Sequence, residues 1–210
     1  MRSVDDLTAR SRIRDAALAR FGRDGVDRTS LRSIAKDAGV SAPLVLHHFG
    51  SKDGLRQACD ERVFALVQEK LQIGEREPDS AGLAALTDLM REAEPLQAYI
   101  ARSLTDGSEH AAALFDQLVA ASESYLERGE ARGEIRPGAD RRGRAVMLVS
   151  WAMSFLVLGD HMARAIGAKT LDRAGQLRLG ASVIEIYTSG FYADDRWASV
   201  VDKLSAQEGA

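Results

Sequence analysis

Apolar residues recur at three- and four-residue spacing along most of the chain, the period of a helix buried on one side. Ile13, Ala16, Ala17 and Phe21 mark a first helix that starts near Val4 and stops between Gly22 and Gly25. Thr29 and Ser30 carry the side-chain oxygens that cap a helix start, and Leu31, Ile34, Ala35 and Ala38 follow as a second helix. Gly39 ends it, because glycine takes the left-handed conformation that a tight reversal needs. Ser41 then caps a third helix with Pro43 in its first turn, where a missing amide costs little. From Lys52 a longer helix runs to about Gly74, with Leu55, Cys59, Val63, Leu66 and Val67 on one face. Turn chemistry predicts breaks at Glu77-Pro78-Asp79, Glu94-Pro95, Thr105-Asp106-Gly107 and Gly133 to Ala139. The last helices are expected from about Asp140 to Gly167 and from Thr170 to Tyr192. No alternating β-branched run is long enough for a sheet. The expected fold class is all-α: about nine helices, with a head over residues 1–51 and a larger body over residues 52–210.

Residues 29–55 read TSLRSIAKDAGVSAPLVLHHFGSKDGL. Two short helices joined through Ala38-Gly39-Val40-Ser41 form a helix-turn-helix, the device that sets its second helix into the DNA major groove. Ile34, Ala35, Val40, Val45 and Phe49 can form the small core that fixes the angle between them. At about 100° per residue, inward Val45 and Phe49 turn Leu44, His47 and partly Pro43 outward. An outward leucine makes sense where it meets thymine methyl groups, the apolar mark of that groove.

Thr29, Ile34-Ala35, Ala38-Gly39-Val40-Ser41, His48-Phe49, Lys52 and Leu55 all stand at the spacing of one family. The chain resembles the TetR-type (tetracycline-repressor-like) bacterial transcriptional regulators, closely over residues 8–60 and beyond them in length and helical layout. The resemblance implies a DNA-binding regulator, a ligand-released repressor that grips a palindromic operator as a homodimer. It assigns DNA contacts to Ser30, Arg32, Ser41, Ala42, Pro43, Leu44, Leu46, His47, His48 and Lys52. Arg32 matches a position that reaches a phosphate or a base edge. Lys52 and His47, with the helix-start groups of Ser30 and Ser41, match phosphate anchors. Ala42, Pro43 and Leu44 match the base-reading end of the recognition helix, and His48 sits close to the backbone. Leu46 stands where the family often has tyrosine. One phosphate hydrogen bond is therefore expected to be missing. The recognition helix has few hydrogen-bonding groups for bases, which puts more weight on Arg32 and on DNA shape.

One helix-turn-helix meets half a site, so a dimer surface is expected among the C-terminal helices. The segment 145–159 (AVMLVSWAMSFLVLG) is apolar nearly all round, as in a helix covered on more than one side. In the final helix Leu177, Ile184, Tyr187 and Phe191 alternate with Gly180 and Ala181, small residues that permit close approach. These two helices resemble the pair that builds the family's four-helix dimer bundle; a thicker monomeric core is the alternative. Met90, Tyr99, Phe115, Met147, Trp151 and Phe155 are candidates for an effector pocket, Trp151 foremost because indole supplies both wall and donor. Each would serve equally in a helical core.

A net charge of −3 over 210 residues argues at first sight against a nucleic-acid partner. Its distribution changes that. Residues 1–56 hold 11 Lys/Arg against 7 Asp/Glu, a net +4, and the remainder holds 17 against 24, a net −7. The acidic body favours a neutral or cationic apolar effector over a phosphorylated one. A single cysteine, Cys59, excludes an internal disulfide and a cysteine metal cage. No metal-spaced cluster, phosphate loop or nucleophile elbow is present, so no metal, cofactor or enzymatic activity is expected. A non-regulatory DNA-binding or scaffold protein is the alternative, and a small-molecule-converting enzyme a more distant one. The N-terminus lacks the apolar stretch of a secretory signal, and the longest uncharged run, about 15 residues from Ala145, is too short to span a bilayer. The expected place is the cytoplasm, with no membrane partner.

Overall fold

The computed structural model describes residues 4–75 and 80–208. Among the described residues every regular element is helical. In chain order these are α1 (Val4–Asp24), α2 (Leu31–Ala38), α3 (Ala42–Phe49), α4 (Lys52–Gly74) and α5 (Ser80–Thr105). They are followed by α6 (Glu109–Ala131), α7 (Arg141–Val157), α8 (Gly159–Ala165), α9 (Arg173–Ser189) and α10 (Arg196–Glu208). The chain forms two compact units, Met1–Val157 and Leu158–Ala210. The head therefore shares one unit with α4 to α7, and no division of this kind falls at residue 51.

One continuous core explains why. Ile13, Ala17 and Phe21 of α1 are buried with Ile34 and Ala35 of α2, Val45 of α3 and Leu55 and Cys59 of α4. The same cluster continues through Tyr99 and Ile100 of α5, Leu114 and Leu118 of α6, and Ala145 and Val149 of α7. Each large side chain buried in this way contributes about 1.5–3 kcal/mol. Helix α1 also lies unusually close to α5. A Cβ at Gly22 would stand 2.8 Å from the Tyr99 backbone nitrogen, so this glycine makes room for a helix crossing. It lies inside α1, and the chain turns only at Gly25, where φ is +85°.

Polar links join the base of α4 to the body. Arg56, buried despite its charge, donates from Nη2 to Asp106 Oδ2 at 2.9 Å and to Ser108 Oγ at 3.0 Å. The Tyr99 hydroxyl donates to Asp60 Oδ1 at 2.5 Å. Helix α4 is thus held at its N-terminal half by the α5–α6 connection and by α5 itself.

Three boundaries differ from expectation. Glu94-Pro95 does not break the chain, and α5 runs through it. An interior proline costs about 3 kcal/mol; buried Leu89 on one side and Leu96, Tyr99 and Ile100 on the other anchor both halves of the helix and offset it. The helix expected from Asp140 to Gly167 is interrupted at Leu158, whose φ of −106° and ψ of 11° are not helical, just ahead of Gly159. The last expected helix ends at Ser189, where Gly190 turns the chain at φ +80°, and α10 follows. Trp197, Val200, Val201 and Leu204 of α10 share one face at helical spacing and are exposed. The break expected at Glu77-Pro78-Asp79 lies outside the described residues. Among those described, no single helix is long and apolar enough to cross a membrane.

Candidate nucleic-acid interface

Local chemistry builds the reversal between α2 and α3. Ser30 starts α2, its Oγ accepting from the Ser33 amide at 3.1 Å. The hydroxyl of buried Thr29 donates to the Gly25 carbonyl at 2.7 Å and fixes the approach from α1. Gly39 ends α2 with φ +66°, its amide reaching the Ala35 and Lys36 carbonyls, and the Val40 amide donates to Ala35 O at 2.9 Å. The space around Gly39 is open, so handedness rather than crowding calls for glycine there. Ser41 opens α3 in extended backbone and makes no side-chain cap, leaving its exposed hydroxyl uncommitted.

The angle of α3 is fixed from below by Ile34 and Val45, both fully buried. Two clamps from α1 hold the helix-turn-helix from the side, one on α2 and one on α3. Arg20 donates from Nε and Nη2 to both Asp37 oxygens at 2.5 and 2.9 Å, tying α1 to α2. That hydrogen bond holds the Asp37 carboxyl below its ordinary range and raises the Arg20 guanidinium. The guanidinium of Arg10 lies 5.3 Å from the centre of the Phe49 ring, tying α1 to α3.

Six of the ten residues assigned to DNA are exposed: Ser30, Arg32, Ser41, Pro43, Leu46 and His47. Ala42, Leu44, His48 and Lys52 are half-buried. Arg32 leaves the first turn of α2 with no partner among the described residues. Lys52, expected to reach outward, donates from Nζ to the Asp27 carbonyl at 3.2 Å and so braces the α1–α2 loop. The imidazole of His48 stands against the ring of Phe49, 6.1 Å between centres.

The displayed leucine is Leu46, 48% exposed, and not Leu44. A helical wheel fixes only the direction in which a side chain leaves its own axis; exposure also depends on what stands alongside. Leu44 belongs to the turn of α3 nearest the reversal from α2, whereas Leu46 lies a half-turn further on. Pro43, Leu46 and His47, at i, i+3 and i+4, form the exposed strip.

The links of α4 to the body had no sequence signal strong enough to find them, since Arg56 and its partners are 50 and 52 residues apart. Burial raises the Asp60 carboxyl, against the lowering effect of the Tyr99 hydrogen bond and of nearby Arg56. Burial also pushes the Tyr99 phenol up, as does the neighbouring Asp60 charge.

The six pocket candidates do not share one environment. Tyr99 is fully buried, with its hydroxyl committed to Asp60; Phe115, Trp151 and Phe155 are half-buried, and Met147 is exposed. The side chain of Met90 lies outside the described residues. A cleft of about 470 Å³ between α4 and α5 is lined by Ala65, Gln68, Glu69, Gln72, Ile73 and Ala85, none of them among the six. Of the dimer candidates, Leu177, Ala181, Ile184 and Tyr187 on α9 are exposed and Gly180 is half-buried, while Phe191, just past the end of α9, is 76% exposed.

Comparison with known proteins matches both parts of the chain. Residues 13–59 match the family described as bacterial regulatory proteins, tetR family. Residues 91–193 match the tetracyclin repressor-like C-terminal domain. The HTH-type transcriptional regulatory protein RaaS of Mycobacterium tuberculosis is 39% identical over 197 residues, covering 92% of this chain and 91% of RaaS. SmeT, the repressor of the Stenotrophomonas maltophilia multidrug efflux pump SmeDEF, has been solved with triclosan. That structure superposes with a TM-score of 0.58 at 26% identity, covering 88% of this chain and 94% of SmeT. The fold is shared with the transcriptional regulator FadR of Bacillus subtilis in complex with stearoyl-CoA, with a TM-score of 0.64 at 19% identity over 87% of this chain and 99% of FadR.

Proposed function

Because the chain belongs to the TetR family of bacterial transcriptional regulators, we propose that this DNA-binding regulator is a repressor that leaves a palindromic operator when a small molecule binds its body. The observation that carries the reading is the exposed strip of α3, Pro43, Leu46 and His47, presented beside an unpaired Arg32 on a rigidly clamped helix-turn-helix. Such a strip fits the major groove, with Arg32 on a base edge and the hydroxyls of Ser30 and Ser41 on phosphates.

Two heads are needed to meet two half-sites about one helical turn apart, so the working form is a homodimer. The exposed apolar residues of α9 and α10 support this, since a stable monomer rarely leaves so much large apolar surface in water. The effector is an apolar molecule. SmeT with triclosan and FadR with stearoyl-CoA share this fold and hold ligands with an apolar part, a chlorinated aromatic and a fatty acyl chain. The net charge of −7 beyond residue 56 favours a neutral or cationic one here. Trp151 and Phe155, half-buried on α7, are our candidates for its wall. Its differential affinity for two arrangements of α4 moves the heads between DNA-binding and released separations. The reading requires no metal or cofactor and places the protein in the bacterial cytoplasm, where its DNA lies.

A thermal-shift screen of charged and neutral lipophilic compounds, followed by DNA-binding anisotropy on the hits, tests the effector. Stabilisation by neutral or cationic compounds that also weaken DNA binding is expected. Preferential stabilisation by acyl-CoA-type anions would overturn the charge argument.

A further inference from the structure

We propose that Leu46 is a base-reading residue whose side chain packs on the C5-methyl group of a thymine, so that the operator half-site carries a thymine opposite the middle of α3. The inference rests on the DNA-binding reading above and names what that interface recognises.

Leu46 is the large apolar side chain that the protein's first 146 residues leave in water; among the described residues of that stretch no other is exposed. It is not at a frayed end. It sits in the fifth position of an eight-residue helix, with Val45 before it fully buried. Its neighbours on the exposed strip are Pro43, whose ring is also apolar, and His47. The strip therefore offers carbon at two of three positions. Phosphates and base-edge donors or acceptors gain nothing from such a surface, while the thymine methyl is the one apolar group that the major groove displays. An asparagine or glutamine there would read adenine and an arginine guanine; a leucine reads the methyl. The Arg20 clamp on α2 and the Arg10 contact with Phe49 of α3 hold the helix-turn-helix so that the side chain meets the groove in a fixed register. Burial of one methyl-sized group stabilises by about 0.8 kcal/mol, equivalent to about fourfold in affinity.

The test uses the full-length dimer and its selected operator, with deoxyuridine replacing thymidine one position at a time. This deletes the methyl and leaves every hydrogen-bonding group in place. We expect one symmetric pair of positions at which deletion weakens binding by about fourfold per half-site. Leu46→Ala should bind the methylated and demethylated operators equally, while it keeps the fold and the rest of the site preference, alanine being a good helix former. If no position responds, the methyl reading fails while the regulator reading stands. If Leu46→Ala still distinguishes thymine from uracil at the responsive position, another group reads the methyl and the proposal is overturned. A protein that selects no site at all would sink both readings.

Discussion

Arg32 leaves the first turn of α2 without a partner among the described residues, while most other arginines of the head are engaged: Arg20 by Asp37, Arg14 by Asp15 and Arg23 by Asp24. A guanidinium kept free next to the recognition helix is available for a paired contact with guanine, worth about 1–3 kcal/mol of discrimination. Arg32→Ala is therefore expected to weaken operator binding by that amount and to relax preference at one base pair, read by anisotropy on a panel of single-base variants. A uniform loss on every sequence would assign Arg32 to phosphate instead. The sequence made the helix-turn-helix legible, but not the individual exposure of the residues it assigns to DNA. Leu44 and Leu46 are chemically the same, and only the packing around α3 separates them. Likewise Lys52 has the charge of a phosphate anchor, yet its ammonium is drawn to the Asp27 carbonyl by the path of a loop that no local pattern specifies.

Helix boundaries with their own capping chemistry were readable in the sequence: Ser30, Gly39 and the start of α4 at Ser51 fall where side-chain oxygens and glycine place them, and Ser41 opens α3 with Pro43 in its first turn although its hydroxyl makes no cap. Boundaries decided by packing were not. Pro95 lies inside α5 because apolar residues on both sides outweigh its local cost, and Gly22 serves a helix crossing that involves Tyr99, far along the chain. Gly22→Ala should force α1 away from α5 and destabilise the protein by about 1–3 kcal/mol, seen as a lower urea midpoint. The link of Asp60 to Tyr99 gives a pH prediction. The folded-state carboxyl titrates above its ordinary value of 3.8, mainly because of burial. The folded protein thus holds that proton more tightly than the unfolded chain. Ionised Asp60 costs stability, a cost absent below about pH 3.8 and present in full above the raised value. Asp60→Asn keeps an oxygen for the Tyr99 hydroxyl and cannot ionise. Its stability relative to the parent should rise as pH increases from 3.8, measured by urea midpoints between pH 4 and 7. A difference that stays flat over that range would refute the assignment.

At the scale of the whole molecule, a net charge of −3 conceals a basic head and an acidic body, and the exposed apolar faces of α9 and α10 call for a partner. Ile184→Asp places a charge in the middle of the α9 face. Light scattering should report a monomer, and operator affinity should fall steeply because each head then binds alone. An unchanged dimer mass would move the interface elsewhere. The exposed apolar residues of α9 stand where the sequence sets large apolar residues between small ones; α10 was not foreseen, since its stripe lies beyond the last helix that the pattern suggested. Selection of binding sites from genomic fragments with the purified protein, at near-physiological salt, shows whether it acts as a sequence-specific dimer. One enriched inverted repeat is expected, its half-sites about one helical turn apart. Binding that favours no sequence and fades evenly with added salt would contradict it.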